Sequence, residues 1–117
     1  MKRDMDLARA ILLRVEETPT ATGWVALEFP GLSQEEVSYH VMLLAQAGLL
    51  EAGDLRTMTS YTWKPKRLTW AGHEFLDAAR SETVWKKATS MMKEKGLGVG
   101  FEVLKDVLVS VAKQQLG

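Results

Sequence analysis

Cysteine is absent from the 117 residues. That excludes a disulfide framework, a thiolate zinc site and a thiol nucleophile, and it leaves no need for an oxidising compartment. Histidine is nearly absent. His40 and His73 are the two present, and in "GHEF" no further histidine follows three residues after Glu74, so the two-histidine zinc helix is excluded. Neither has a serine, a cysteine or paired carboxylates that the sequence places beside it, so no catalytic residue, metal, cofactor or enzyme activity is expected. A long apolar run is missing too: "MKRDMDLARAILLRVEE" is broken by acids short of the roughly 18 residues a membrane span requires. No membrane association and a cytoplasmic location are the expectation. The last absence is charge of one sign. The 15 basic and 15 acidic residues cancel, so the strongly positive balance of many nucleic-acid binders is lacking, and any such function rests on a local patch.

What is present suits one soluble domain, since 46% apolar and 26% charged residues are ordinary globular values. From Asp6 to Glu17, Leu7, Ala8, Ile11, Leu12 and Val15 form one helical stripe, which Thr18-Pro19 ends because a residue before proline avoids the helical region. "GWVALEF", between Gly23 and Pro30, suits a short strand. In "SQEEVSYHVMLLAQAGLL", Ser33 and Glu36 have capping-box spacing. Val37, His40, Val41 and Leu44 then share a face, and Gly48 stands where a left-handed C-cap is wanted. His40, at the edge of that face, reads as a hydrogen-bonded core histidine, and His73 reads the same way. After "AGLLEAGD" the chain turns, and "LRTMTSYTWKP" with "KRLTW" makes a β-hairpin. Thr69 caps "WAGHEFLDAAR", and Ser81 starts "ETVWKKATSMMKEK", which stops at Gly96. "GLGVG" follows no strand of a βαβ unit, so it reads as a hinge and not as a phosphate loop.

The fold class expected is mainly α with a small β-hairpin. The order of elements is that of a winged helix-turn-helix with extra C-terminal helices, the hairpin being the wing and the helix before it the recognition helix. Residues 1–80 form the winged-helix domain and 81–117 a helical extension, within a single compact unit. "VSYHVMLLAQAGLLEA" resembles the recognition segment of arsenic-repressor-type regulators, and "RLTWAGHEFLDAAR" resembles the wing exit and following helix of many such proteins. Together with "MKRDMDLARAIL", these stretches resemble an uncharacterised family carried mainly by phages and prophages. One departure stands out: the helix that crosses the DNA backbone ahead of a recognition helix is replaced by the strand-like "TATGWVALEFPGL".

The wing carries the sharpest functional signal. From Leu55 to Gly72, Arg56, Lys64, Lys66 and Arg67 occur with no acid, interleaved with Tyr61, Trp63 and Trp70, as suits contact with phosphates or the minor groove. The plainer reading is a solvated hairpin whose lysines deter edge pairing while the aromatics pack inward. On the recognition-type helix, Gln34, Glu35, Ser38, Tyr39, Met42 and Gln46 are the candidate contacts to DNA or a partner, and no arginine or lysine is among them. The helix therefore lacks the commonest contact to guanine. Two partners follow as alternatives, double-stranded DNA for a small regulator or accessory factor, and a host protein for an interaction module. In "FEVLKDVLVSVAKQQL", Phe101, Leu104, Val107, Leu108 and Val111 form a broad apolar arc, with Val103 and Val109 outside it. A homodimer through that arc is expected, the alternative being that the helix folds back to complete a monomer core.

Overall fold

In the first helix, α1 (Met5–Glu16), the Asp4 carboxylate accepts the backbone N–H groups of Asp6 and Leu7, and Leu7, Ala8, Ile11, Leu12 and Val15 are all buried. The computed structural model describes residues 1–94 and 100–116. Helix α2 (Gln34–Gln46) starts on Ser33, whose hydroxyl accepts the Glu36 N–H at 3.1 Å. The Glu36 carboxylate turns to that same hydroxyl at 3.4 Å, so only the Ser33 half of the capping box forms. Past Ala47, Gly48 takes φ +79°, a left-handed conformation that disfavours any side chain.

The hairpin consists of β1 (Leu50–Asp54) and β2 (Trp63–Leu68), paired antiparallel from Leu50 opposite Leu68 to Asp54 opposite Trp63. A register shift after Glu51 leaves Lys66 as the extra residue of a bulge, next to the one position, Pro65, that has no N–H to give the ladder. The first strand of the expected hairpin is thus corrected. It is "LEAGD" and not "LRTMTSYTWKP", because pairing with β2 overrides the weak β-propensity of Ala, Gly and Asp. The expected strand "GWVALEF" is corrected as well: residues 21–29 have no regular secondary structure. This stretch is tied to the hairpin at a few points. The Val25 N–H donates to the Pro65 carbonyl at 2.8 Å, Arg67 Nη1 donates to the Ala21 carbonyl at 3.0 Å, and the Trp24 indole covers Gly53. The segment that stands in for a positioning helix is therefore pinned to the wing.

Helices α3 (Trp70–Ala79), α4 (Glu82–Glu94) and α5 (Phe101–Leu116) complete the chain. Thr69 Oγ1 accepts the Gly72 N–H at 3.0 Å and donates to the Gly48 carbonyl, and Ser81 Oγ accepts the Val84 N–H at 3.3 Å, so both expected caps are present. The expected helix stop at Gly96 and the hinge glycine Gly98 lie outside the described residues.

The chain groups into two compact units, Met1–His73 and Glu74–Gly117, whose boundary runs inside α3, upstream of the division at residue 80 read from the sequence. In the first unit α1 and α2 pack on each other and on the hairpin, and Ile11, Leu12, Val41 and Leu44 have no accessible surface. In the second unit α4 packs on α5, and Phe75 meets Trp85 and Phe101 edge to face, at 6.3 and 5.1 Å between ring centroids. Leu104, Leu108 and Val111 are at most 1% exposed. These three side chains are buried within the single chain. Phe101 and Val107 are half-buried, and Val103 and Val109 are exposed.

Candidate nucleic-acid interface

His40 sets the frame on which α2 is held. It is 2% exposed. Its Nε2 accepts the Asp4 N–H at 2.8 Å, and Nδ1 faces the Glu36 carbonyl at 2.8 Å, which places the ring proton on Nδ1. The core reading of this histidine holds. His73 differs: it is exposed on α3, which corrects the expectation that it too is a core residue.

Two side-chain contacts join α2 to the hairpin loop. Gln34 Nε2 donates to Thr62 Oγ1 at 2.6 Å, and the Tyr61 hydroxyl donates to Met42 Sδ at 3.3 Å. Lys64, Ser33, Gln34 and Val37 line one groove of about 550 Å³ together with Val25 and Phe29 of the irregular segment. The hairpin and the start of α2 are thus one continuous surface. Outward on α2 stand Gln34, Glu35 and Gln46, with Tyr39 and Met42 half-buried. Ser38 is the exception among the expected contacts, being 3% exposed. The buried arc of α2 is wide enough to take in Ser38 beside Val37, which removes it from the outward set.

The wing is less basic than residues 55–72 imply. Strand pairing sets Glu51 opposite Arg67, and the two side chains form an ion pair. Asp54 clamps Arg56: Nε lies 2.7 and 2.9 Å from the two carboxylate oxygens, Nη2 donates to Oδ2, and the Arg56 N–H donates to Oδ1 at 3.0 Å. These bonds, led by the guanidinium, hold the Asp54 carboxyl below the usual carboxylate range and push Arg56 above its own. Arg56 also lies 5.9 Å from the ring centroids of both Tyr61 and Trp63. Lys66 Nζ sits 4.7 Å from the Trp24 ring centroid. Among the described residues neither Lys64 nor Lys66 has a carboxylate partner. From Leu50 to Leu68 four cations face two carboxylates, a surplus of +2.

Residue 58 is what sequence reasoning missed. Met58 is fully exposed at the hairpin tip, with Leu55 37% exposed at its base, and a lone methionine in a polar turn gives no periodic signal. Trp70 (81%) and Trp24 (45%) are large exposed aromatics. Among the described residues no group of three or more His, Cys, Asp or Glu side chains is placed to hold a metal, and no helix is long and apolar enough to cross a membrane.

Among the described residues the chain is thus mainly helical, with five helices and one antiparallel hairpin, an arrangement compatible with a winged helix followed by C-terminal helices. Residues 2–98 match the family described as "Hypothetical protein (DUF2513)", and the chain belongs to that family. It is 39% identical over 117 residues to an uncharacterized protein of Haemophilus influenzae, covering 99% of each chain. No solved structure matches it.

Proposed function

We propose that this protein binds duplex DNA as a small regulator or accessory factor, through the hairpin and the adjoining face of α2. The carrying observation is the pair of contacts Gln34–Thr62 and Tyr61–Met42, which join wing and helix in a single surface. On that surface Lys64 and Lys66 have no carboxylate partner among the described residues. Such a surface binds mainly through phosphates, by displacing counterions, and reads bases weakly because α2 offers no arginine or lysine. Arg56 and Arg67 contribute less than free cations, each being matched by its own carboxylate. The phage or prophage setting rests on the family resemblance alone. Fluorescence anisotropy against a random duplex at low salt tests the reading: binding by tens of micromolar protein is expected, and its absence there overturns the proposal.

A second reading, a module that docks on a host protein, draws on Glu35 and Glu36 in the first turn of α2, where carboxylates repel phosphate. Recovery of a host protein from lysate treated with nuclease would support it. Recovery only while nucleic acid is intact counts against it.

A further inference from the structure

The tip of the hairpin is built to project one apolar side chain, and DNA binding through phosphates alone leaves that unexplained. Beyond Asp54 and Trp63 the ladder continues: the Leu55 N–H donates to the Thr62 carbonyl at 2.9 Å and the Thr57 N–H to the Ser60 carbonyl at 2.9 Å. Met58 and Thr59 are left as a two-residue loop. That loop is braced by side chains, with the Thr59 N–H donating to Thr57 Oγ1 at 3.3 Å and the Ser60 and Thr62 hydroxyls in contact at 2.5 Å. The hydroxyls of Thr57, Ser60 and Thr62 are thus engaged within the hairpin. Met58 points away, with no cover from the chain. At about 3.3 Å per residue the paired arms reach Thr57, roughly 10 Å past Asp54, further than the ~7.5 Å depth of a B-DNA minor groove.

At the shoulder of this tip stands Arg56, near Tyr61 and fixed by Asp54. Its clamp uses Nε and Nη2. Nη1 has no partner among the described residues, so one edge of the guanidinium is presented in a set direction with its rotamer entropy already lost.

We infer that the hairpin tip inserts Met58 between base steps from the minor groove of A·T-rich duplex DNA, while the Asp54-held guanidinium of Arg56 meets a phosphate at the groove's edge. Insertion of an apolar wedge unstacks a step and bends the duplex, and a methionine is flexible enough to follow the opened step. A·T-rich sequence also supplies TA steps, which are flexible and easily kinked or unstacked. The acid then has a role other than neutralisation: it orients the cation.

This inference rests on the DNA reading, and the test separates the two. The probes are a 30-base-pair A·T-rich duplex and a G·C-only duplex of the same length, labelled at both ends so that energy transfer reports bending and anisotropy reports affinity. Wild-type protein is expected to bend the A·T-rich duplex and prefer it. Met58→Ala, a fully exposed position checked by circular dichroism, is expected to keep its affinity for the G·C duplex, lose the bend, and lose roughly tenfold of the A·T preference. Asp54→Asn adds positive charge to the wing, so a purely coulombic wing binds more tightly, whereas an oriented Arg56 binds more weakly. Bending by Met58→Ala equal to wild type overturns the wedge and leaves the DNA reading in place. Tighter binding by Asp54→Asn removes Arg56 from the mechanism. Wild-type protein that binds neither duplex at low salt ends the DNA reading and the wedge with it.

Discussion

Replacing Gly72 by alanine sets a helix's intrinsic preference against a contact across the fold. In the interior of a helix the change ordinarily adds stability, by about 1 kcal/mol, because alanine loses less backbone freedom on folding. Gly72 is buried in α3, and a Cβ built there falls 2.0 Å from the carbonyl oxygen of Leu49 and 3.0 Å from its carbonyl carbon. An ordinary carbon–oxygen contact is farther by more than an ångström, and the obstacle is backbone that cannot rotate away. The start of α3 must then lift from the Leu49 turn. That strains the Thr69 N–H bond to the Leu49 carbonyl, 3.1 Å long, and the Thr69 hydroxyl bond to the Gly48 carbonyl. Overpacking costs about 1–3 kcal/mol and each weakened hydrogen bond about 1 kcal/mol. Set against the propensity gain, these leave Gly72→Ala less stable by about 2–4 kcal/mol. Urea unfolding followed by circular dichroism measures this directly. A variant as stable as wild type, or more stable, refutes the close approach of α3 to Leu49.

Three further outcomes follow from the same packing. His40→Leu keeps the bulk but leaves the Asp4 N–H without its acceptor, so unfolding should show a loss of about 2 kcal/mol; an unchanged urea midpoint would contradict the tie between α1 and α2. Gly53→Ala places a Cβ 2.2 Å from the Trp24 ring, so the indole must leave the hairpin. Because Trp24 is half-exposed, the cost should be only about 1 kcal/mol, and its emission should shift to the red relative to the same variant carrying Trp24→Phe. Leu104→Asp with Leu108→Asp puts two carboxylates where side chains have no accessible surface, so the second unit should lose its cooperative unfolding; a folded double variant would place α5 outside the core.

Most helices were legible because their signals are local. Leu7 to Val15 repeat at helical spacing, Ser33, Thr69 and Ser81 stand at caps, and Gly48 marks a left-handed residue. The hairpin's existence was legible from Trp63 to Leu68, but its first strand was not. "LEAGD" has poor β-propensity and becomes a strand only through its pairing with β2 further along the chain. The wing's charge failed to be legible for the same reason. A window from 55 to 72 holds no acid, whereas strand pairing brings Glu51 to Arg67 and the turn brings Asp54 to Arg56. Ser38 misled because polarity suggests an outward position, while helical geometry sets it within the buried arc. The resting place of Trp24 on Gly53 depends on an irregular segment, which periodicity does not describe.

Whether the wing holds phosphate is decided by the salt dependence of duplex binding, measured for wild-type protein and for Lys64→Glu with Lys66→Glu. Both side chains are free of carboxylate partners among the described residues, whereas Arg67 also holds the Ala21 carbonyl and is left intact so that the pinned segment stays in place. If the wing binds phosphate, the double variant should weaken alike on every sequence, and the slope of log K against log salt should flatten by about 0.9 for each phosphate no longer neutralised. A folded double variant with wild-type affinity and slope would contradict DNA binding through the wing.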